Sequence, residues 1–210
     1  MSTILVYGDS NSHGTPPLVA LGDIARFDKA HRWPSVMADD LGPAHDVICE
    51  ALPGRTTVHD DVIEGGMRNG LTVLPAMLQS HKPIDLVVLM LGTNDLKIRF
   101  SVSAWEIARS LERLVSEIQL GQPQASICVV APANVREIGT LRDVFAEAET
   151  RQVNLSNCIK EMTDRTGLYF VDSNDHVSVS EIDGVHWGAE QHVIFGKVMA
   201  DKLRTILESQ

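Results

Sequence analysis

Short apolar runs alternate along this chain with segments in which apolar residues recur every three or four positions. Several runs are nearly continuous, which is typical of strands buried on both faces of a parallel sheet. The runs predicted as strands are Ile4–Tyr7, Asp46–Cys49, Leu86–Leu91, Ile127–Ala131 and Leu168–Val171. The other spacing predicts amphipathic helices. Its apolar residues are Trp33, Val36, Met37 and Leu41; Leu71, Leu74 and Leu78; Ile107, Leu111, Leu114, Val115 and Ile118, ended by Pro123; and Val193, Val198, Leu203, Ile206 and Leu207.

This alternation predicts right-handed βαβ crossovers in a three-layer α/β fold, with residues 1–210 forming one domain. Ligands of such sheets bind beyond the carboxyl ends of the strands. Residues 133–149 do not fit the pattern, and we expect a loop there that becomes a charged helix from about Leu141. This segment could overhang the site, form a subunit contact, or be a plain surface connection.

Composition narrows the classes of function. The chain has 44% hydrophobic and 22% charged residues, and its net charge of −10 argues against binding to nucleic acids or anionic membranes. No apolar run approaches the roughly 20 residues of a membrane span, and no secretion signal is recognisable, so we expect a cytoplasmic protein. The cysteines Cys49, Cys128 and Cys158 form no C-x-x-C motif. We expect Cys49 and Cys128 to be small buried core residues rather than metal ligands.

The first predicted strand ends in a turn of small residues, Gly8-Asp9-Ser10-Asn11. A serine at such a turn can expose its hydroxyl above the sheet as a nucleophile, although the same residues also form ordinary turns. A serine hydroxyl attacks poorly until a base accepts its proton. The interpretation of Ser10 therefore depends on what the rest of the chain supplies.

The candidate base is His186, one of eight histidines, which follows Asp183 by three positions in a Gly-containing loop. Asp183 could hold the imidazole through its Nδ1–H and leave Nε2 free for Ser10. The same residues could instead form a simple turn before the next helix. His176, which lies beside two aspartates, is a rival base that the local sequence does not dismiss.

Donors for a tetrahedral intermediate are also present. They are the backbone amides of Ser10 and Gly54 and the side-chain amide of Asn94. Gly54 and Asn94 come soon after the second and third predicted strands. Taken singly, Gly54 could be a turn glycine and Asn94 a helix N-cap.

Taken together, these motifs resemble those of the SGNH (GDSL-type) hydrolase superfamily. The four matching blocks, in the family's order, are Gly8-Asp9-Ser10, Gly54, Gly92-Thr93-Asn94-Asp95, and Asp183 with His186. The chain looks most like bacterial arylesterase/acyltransferase-type members. That likeness depends on Arg32-Trp33, the stretch from Glu50 to Thr57, and Leu91-Gly92-Thr93-Asn94-Asp95.

The resemblance implies a flavodoxin-like three-layer α/β/α fold with a five-stranded parallel sheet. It also implies a catalytic triad of Ser10, Asp183 and His186 that uses no metal or cofactor, and an oxyanion hole of Ser10, Gly54 and Asn94. A homo-oligomer is expected as well. The chain departs from the family's pattern in two places. Asn11 stands where leucine is usual, and residues 133–149 lack the proline-rich character of the relatives.

Several residues near these motifs are candidates to line a substrate pocket. They are Asn11, His13, Trp33, Pro53, Arg55, Asn94, Val185 and Trp187, although Trp33 could equally anchor its helix in the core. Aromatic edges with few charges favour a small, uncharged ester, and no long apolar lid of a lipase is visible. We expect a Glu50–Arg55 pair to brace the loop that carries Gly54. Asp9 and Asp95 are expected to tie loops.

The leading hypothesis is an esterase for short acyl esters, with a small-molecule ester as its substrate. Deacetylation of carbohydrates is the first alternative, and thioester hydrolysis or acyl transfer by the same triad is the next. A catalytically silent binding module of flavodoxin-like shape is a different class of function. A phosphate-binding P-loop fails because no Lys-Ser/Thr follows the glycines of residues 8–14.

Overall fold

Five parallel strands form the centre of the computed structural model, which describes residues 2–209. The strands are β1 (Ser2–Gly8), β2 (His45–Ala51), β3 (Leu86–Met90), β4 (Ser126–Ala131) and β5 (Tyr169–Asp172). The helices are α1 (Ser10–His13), α2 (Trp33–Leu41), α3 (Gly70–Ser80), α4 (Ala104–Gly121), α5 (Ala148–Arg151), α6 (Leu155–Thr166) and α7 (Ala189–Glu208). No helix within residues 2–209 is long and apolar enough to cross a membrane.

The strands are ordered β2-β1-β3-β4-β5, and every neighbouring pair is parallel. This is the flavodoxin-like order, and it confirms the predicted fold class. β1 lies between β2 and β3. The chain therefore passes from β1 to one side of the sheet to form β2, and then crosses to the other side to form β3, β4 and β5. A crevice forms at such a switch point, beyond the carboxyl ends of the strands. The segments after β1, β2 and β3 carry Ser10, Gly54 and Asn94.

The sheet separates two apolar layers because successive side chains of a strand point to opposite faces. In β1, Leu5 and Tyr7 join the cluster that contains the buried residues of α3, α4 and α6. Ile4 and Val6 join the other cluster, with the buried residues of α2 and α7. Every residue of β3 is buried, as its continuous apolar run predicts. The three-layer arrangement is therefore confirmed.

The predicted helix from Leu141 is wrong. Residues 142–147 form turns, and α5 begins only at Ala148. Glu147 has a left-handed φ of 63°, which interrupts helical backbone. Leu141 and Phe145 are buried beneath these turns, so tertiary packing outweighs the local preference for a helix. The main helix between β4 and β5 is α6, which the pattern did not predict.

The expected burial of the cysteines is correct for only one of the two. Cys128 lies in central strand β4 and is fully buried. Cys49 is exposed. It lies on β2, which is an edge strand with a neighbour on one side only. An apolar run therefore predicts a strand here without specifying whether that strand lies at the centre or the edge of the sheet.

Candidate active site

Ser10 follows β1 directly and is the first residue of the short helix α1. Asp9 caps this helix, since its Oδ1 accepts a hydrogen bond from the amide of Asn11 at 3.0 Å. Burial raises the pKa of Asp9 to about 6. Ser10 is only 4% exposed but lines a cavity beyond the carboxyl ends of the strands. Its hydroxyl forms no hydrogen bond within residues 2–209 and is available to a ligand.

Asp183 and His186 form a buried pair in the loop before α7. The Nδ1 of His186 lies 2.6 Å from Asp183 Oδ2. Asp183 also accepts hydrogen bonds from the amides of Leu18 at 2.7 Å and of Val185 and His186 at 2.9 Å. Burial alone would raise the pKa of Asp183, but the hydrogen bonds and the His186 charge outweigh it and keep this pKa below its usual value. An ionised carboxylate only accepts, so the proton belongs on Nδ1 of His186.

This tautomer leaves Nε2 of His186 as the nitrogen able to accept a proton. His186 lines the same cavity as Ser10, and in the described chain neither Ser10 Oγ nor His186 Nε2 is hydrogen-bonded to another residue. The rival base, His176, is exposed and is not among the residues that line this cavity. Of the two candidates, only His186 shares the cavity with Ser10.

Residues 136–140 hold the loop that carries Asp183. The amide of Arg136 donates to Gly184 O at 2.8 Å, and the amide of Thr140 donates to Ile182 O at 3.0 Å. Gly184 has a φ of +76°, and a Cβ there would lie 2.1 Å from Arg136 O. Glycine is therefore required by both backbone conformation and space. Leu141, Val144 and Phe145 line the cavity, so the segment 133–149 overhangs the site.

Asn11 joins the nucleophile segment to the histidine loop. Its Nδ2 donates to Val185 O at 3.1 Å, and its Oδ1 accepts from the amide of Trp187 at 3.1 Å. Asn11 is 2% exposed and does not line the cavity, so its predicted place on the pocket wall is wrong. A leucine at this position could make neither bond. The residue that departs from the family's pattern thus fixes two loops that lie far apart in the sequence.

The three predicted oxyanion donors line one cavity. Gly54 has a φ of +79°, a conformation that L side chains rarely adopt. Within residues 2–209, the amides of Ser10 and Gly54 donate no hydrogen bond. The Nδ2 of Asn94 donates one hydrogen to Arg55 O at 3.1 Å, and its second hydrogen is not used in this bond. The site therefore offers three donors to a ligand.

Arg55 supports the loop from behind instead of lining the pocket. Its Nη1 donates to Gly8 O at 3.0 Å and to the carbonyl of Glu50, and its guanidinium lies 4.1 Å above the Tyr7 ring. The expected Glu50–Arg55 pair thus uses the backbone of Glu50. The carboxylate of Glu50 instead contacts His81 Nε2 at 2.7 Å. Arg55 braces the strand ends, but its assignment as a pocket residue is wrong.

The cavity has a volume of about 580 Å³, which is within the usual range for small-molecule sites. Of the predicted lining residues it includes His13, Pro53, Asn94 and Val185. Trp33 and Trp187 are fully buried and pack against Phe195 with ring centroids 5.4 and 5.0 Å away. Their predicted place on the wall is wrong, because both rings belong to the core. The apolar wall comes from Leu18, Leu21, Ile24, Ile63, Leu141, Val144, Phe145 and Val185.

The polar lining is richer in charge than expected. His13 stays neutral, because burial and the nearby Arg26 and Arg32 lower its pKa to about 4. Its Nδ1 lies 3.1 Å from Thr15 Oγ1, and both residues line the cavity. The charged lining residues are Asp23, Glu64, Arg68, Lys97 and Arg99. No local motif marks these residues, because their loops meet only in the folded chain.

Comparison with known proteins places this geometry in a family. Residues 6–193 match the model of the GDSL-like Lipase/Acylhydrolase family. The chain belongs to this family. Membership confirms the resemblance drawn from the four motifs, and it makes the chain a carboxylic-ester hydrolase. A search of curated protein sequences finds no match.

Solved structures of esterases resemble the chain along almost its whole length. A carbohydrate acetylesterase from Sinorhizobium meliloti is 32% identical, with a TM-score of 0.94 over 98% of this chain and 100% of that one. A carbohydrate acetylesterase family member from the same organism is 33% identical, with a TM-score of 0.92 over 99% and 100% of the two chains. The native aryl esterase of M. smegmatis is 29% identical, with a TM-score of 0.93 over 98% and 99%.

Proposed function

We propose that this chain is a serine esterase that hydrolyses short-chain, acetyl-type esters through an acyl-enzyme on Ser10. The observation that carries this proposal is a shared cavity. It holds an unbonded Ser10 hydroxyl, the imidazole of the hydrogen-bonded Asp183–His186 pair, and the donors at Gly54 and Asn94. These are the groups that acyl transfer needs: a nucleophile, an oriented base and donors for the developing charge.

In the proposed reaction, Ser10 Oγ attacks the ester carbonyl while His186 Nε2 takes its proton. The amides of Ser10 and Gly54 and Nδ2 of Asn94 stabilise the oxyanion. His186 then protonates the leaving alcohol as the acyl–oxygen bond breaks. Water, deprotonated by His186, attacks the acyl-enzyme and releases the acid and the free serine. Asp183 stays ionised throughout and orients the imidazole.

The test is Ser10→Ala on p-nitrophenyl acetate. We expect kcat to fall at least about 1,000-fold without a change in melting temperature. Ser12→Ala is the matched control, because Ser12 is two residues away, fully buried and not part of the cavity lining. Stoichiometric labelling of Ser10 by a fluorophosphonate would exclude a silent binding module. Parental activity in Ser10→Ala would refute the proposal.

Deacetylation of carbohydrates is the second candidate. It is supported by the two Sinorhizobium meliloti proteins, a carbohydrate acetylesterase at 32% identity and a carbohydrate acetylesterase family member at 33%. Acetate release from acetylated xylan and sugar acetates, compared with aryl acetates, separates the two candidates. An acyl-CoA and an added alcohol acceptor test thioester hydrolysis and acyl transfer. On esters of C2 to C12 acids we expect C2–C4 to dominate, and a maximum at C8 or longer would contradict the short-chain proposal.

We also propose that the protein is a homo-oligomer. Exposed apolar side chains stand on two loops at the rim of the cavity: Leu21 and Ile24 on one, and Val62 and Ile63 on the other. All but Val62 also line the cavity. Exposed apolar clusters of this kind often mark protein contacts. Sedimentation velocity over a range of concentrations measures the mass. A monomer at every concentration would contradict this proposal.

A further inference from the structure

Arg68 lines the cavity, and its positive charge has no partner among the described residues. Within residues 2–209 its guanidinium forms no hydrogen bond and has no carboxylate oxygen within 4.0 Å. Its Nε is buried and unsatisfied. A buried donor without an acceptor is costly, and this cost favours a ligand that supplies one.

The other two cations of the lining are neutralised by neighbouring carboxylates. Lys97 Nζ lies 2.5 Å from Glu64 Oε1 and 3.3 Å from Asp61 Oδ2. Arg99 Nη2 lies 2.8 Å from the same Asp61 oxygen and 2.6 Å from Glu64 Oε1. Two positive and two negative charges thus balance in this network. Arg68 stands outside it.

Arg68 lies next to one of the proposed oxyanion donors. Its Nε is 3.1 Å from the point where a Cβ on Gly54 would be. Oε2 of Glu64 approaches the same point at 2.7 Å, while the other oxygen of this carboxylate is held by Lys97 and Arg99. The remaining carboxylate of the lining, Asp23, accepts hydrogen bonds from the amides of residues 19 and 20. An ester whose carbonyl oxygen reaches the Gly54 amide would therefore lie close to the unpaired guanidinium of Arg68.

We propose that Arg68 makes this enzyme selective for esters that carry a carboxylate, by pairing its guanidinium with that group. The inference rests on the proposed function, because it takes the ester carbonyl to lie at Ser10 and Gly54. Guanidinium and carboxylate match in charge and in planar, two-pronged geometry. The apolar wall would cover the carbon skeleton of the substrate. This proposal differs from the uncharged ester that the sequence suggested.

Two pairs of substrates test the proposal, each with one charged and one neutral member of similar shape. p-Acetoxybenzoate and p-acetoxybenzamide differ in charge on the alcohol side of the ester. Mono-p-nitrophenyl glutarate and p-nitrophenyl glutaramate differ on the acyl side. After subtraction of spontaneous hydrolysis, we expect kcat/KM to favour the carboxylate in at least one pair by about 10- to 100-fold, as for a hydrogen bond to a charged group.

Arg68→Gln should bring this ratio close to one, because the loss should fall on the carboxylate-bearing member of each pair. Arg68→Lys keeps the charge without the planar fork and should retain part of the preference. Arg113→Gln is the control for charge alone, because the Arg113 side chain is half-exposed on α4, pairs with Glu117 and does not line the cavity. An equal loss on charged and neutral substrates would mean that Arg68 supports the oxyanion, and it would overturn the proposal. So would the absence of any preference in the parent.

A binding measurement separates failure of this proposal from failure of the proposed chemistry. Calorimetric titration of benzoate and of glutarate into Ser10→Ala requires no catalysis. We expect Arg68→Gln, added to this variant, to weaken binding by the same factor of about 10 to 100. Binding that does not depend on Arg68 would overturn the proposal even if Ser10 proves to be the nucleophile.

Discussion

Two regions of the molecule each place a buried aspartate near a histidine, and their geometries differ. Asp183 and His186 lie 2.6 Å apart, both almost fully buried, at the cavity. Asp95 and His59 lie 3.8 Å apart, which is beyond a hydrogen bond, and the His59 side chain is 31% exposed and stacked on Phe100. Only the first pair fixes the orientation and the tautomer of its imidazole.

The surrounding donors explain why the two carboxylates behave differently. Asp183 accepts from three backbone amides and from His186, and these bonds overcome burial to lower its pKa. Asp95 accepts hydrogen bonds from the amide and hydroxyl of Thr57, but burial outweighs them and raises its pKa to about 6. Asp95 thereby ties the loop that follows Gly54 to the segment that carries Asn94. An aspartate near a histidine is thus not enough to define a catalytic pair.

The largest expected effect separates the two aspartates directly. Asp183→Asn should lower kcat on p-nitrophenyl acetate about 1,000- to 10,000-fold, because the amide would favour the wrong tautomer of His186. Asp95→Asn should lower kcat less than about 10-fold. It should instead destabilise the fold by about 1–3 kcal/mol, because it disturbs buried bonds to Thr57.

Steady-state kinetics and urea unfolding of the same two variants give both quantities. Asp95→Asn thus serves as the matched control for Asp183→Asn, since both carboxylates are fully buried. Equal losses of kcat in the two variants would remove the distinction between a catalytic and a structural pair.

The next effect concerns the residue beside Asp95. Asn94→Ala should lower kcat about 100- to 1,000-fold, because it removes one proposed oxyanion donor. KM should change little, since the developing charge is bound more tightly than the ground state. Asn157→Ala, at an exposed position of α6, is the control. A full kcat in Asn94→Ala would restrict the role of Asn94 to its bond with Arg55 O.

Much of the fold and several of the site residues could be predicted from the sequence, for local reasons. A continuous apolar run such as Leu86–Leu91 has few alternatives to a strand buried on both faces. The spacing of Asp183 and His186 keeps both on one loop, so their contact needs no knowledge of the tertiary structure. Parallel strands end at one edge of the sheet, which brings Gly54 and Asn94 to the segment after β1.

The remaining features depend on partners that are distant in the sequence. Asn11 bonds to residues 174 and 176 positions away. Trp33 is buried because Phe195 packs against it, and nothing near Trp33 in the sequence signals that contact. Arg68 is notable for what it lacks, and the absence of a partner becomes visible only once all the loops are in place.

The smallest expected effect is a difference in the pH dependence of stability. Burial raises the pKa of Asp95 in the folded protein from 3.8 to about 6, so the folded state binds the proton more tightly than the unfolded state. The favourable contribution of protonated Asp95 is present below about pH 4 and is lost as the pH rises towards 6. Asp183 has the opposite sign. Its folded pKa lies below 3.8, so its contribution is present above that pH and is lost as the pH falls.

Urea unfolding of the parent, Asp95→Asn and Asp183→Asn between pH 3 and 7 shows in which direction each aspartate changes the stability with pH. Subtracting the free energy of unfolding of each variant from that of the parent cancels the contributions of the other titrating groups, including Asp9. The difference for Asp95→Asn should decrease between pH 4 and 6, whereas the difference for Asp183→Asn should increase with pH below about 4 and then remain constant. If both differences changed with pH in the same direction, folding would favour the same protonation state of both carboxylates. The contrast between an oriented catalytic pair and a structural aspartate would then depend on distance alone.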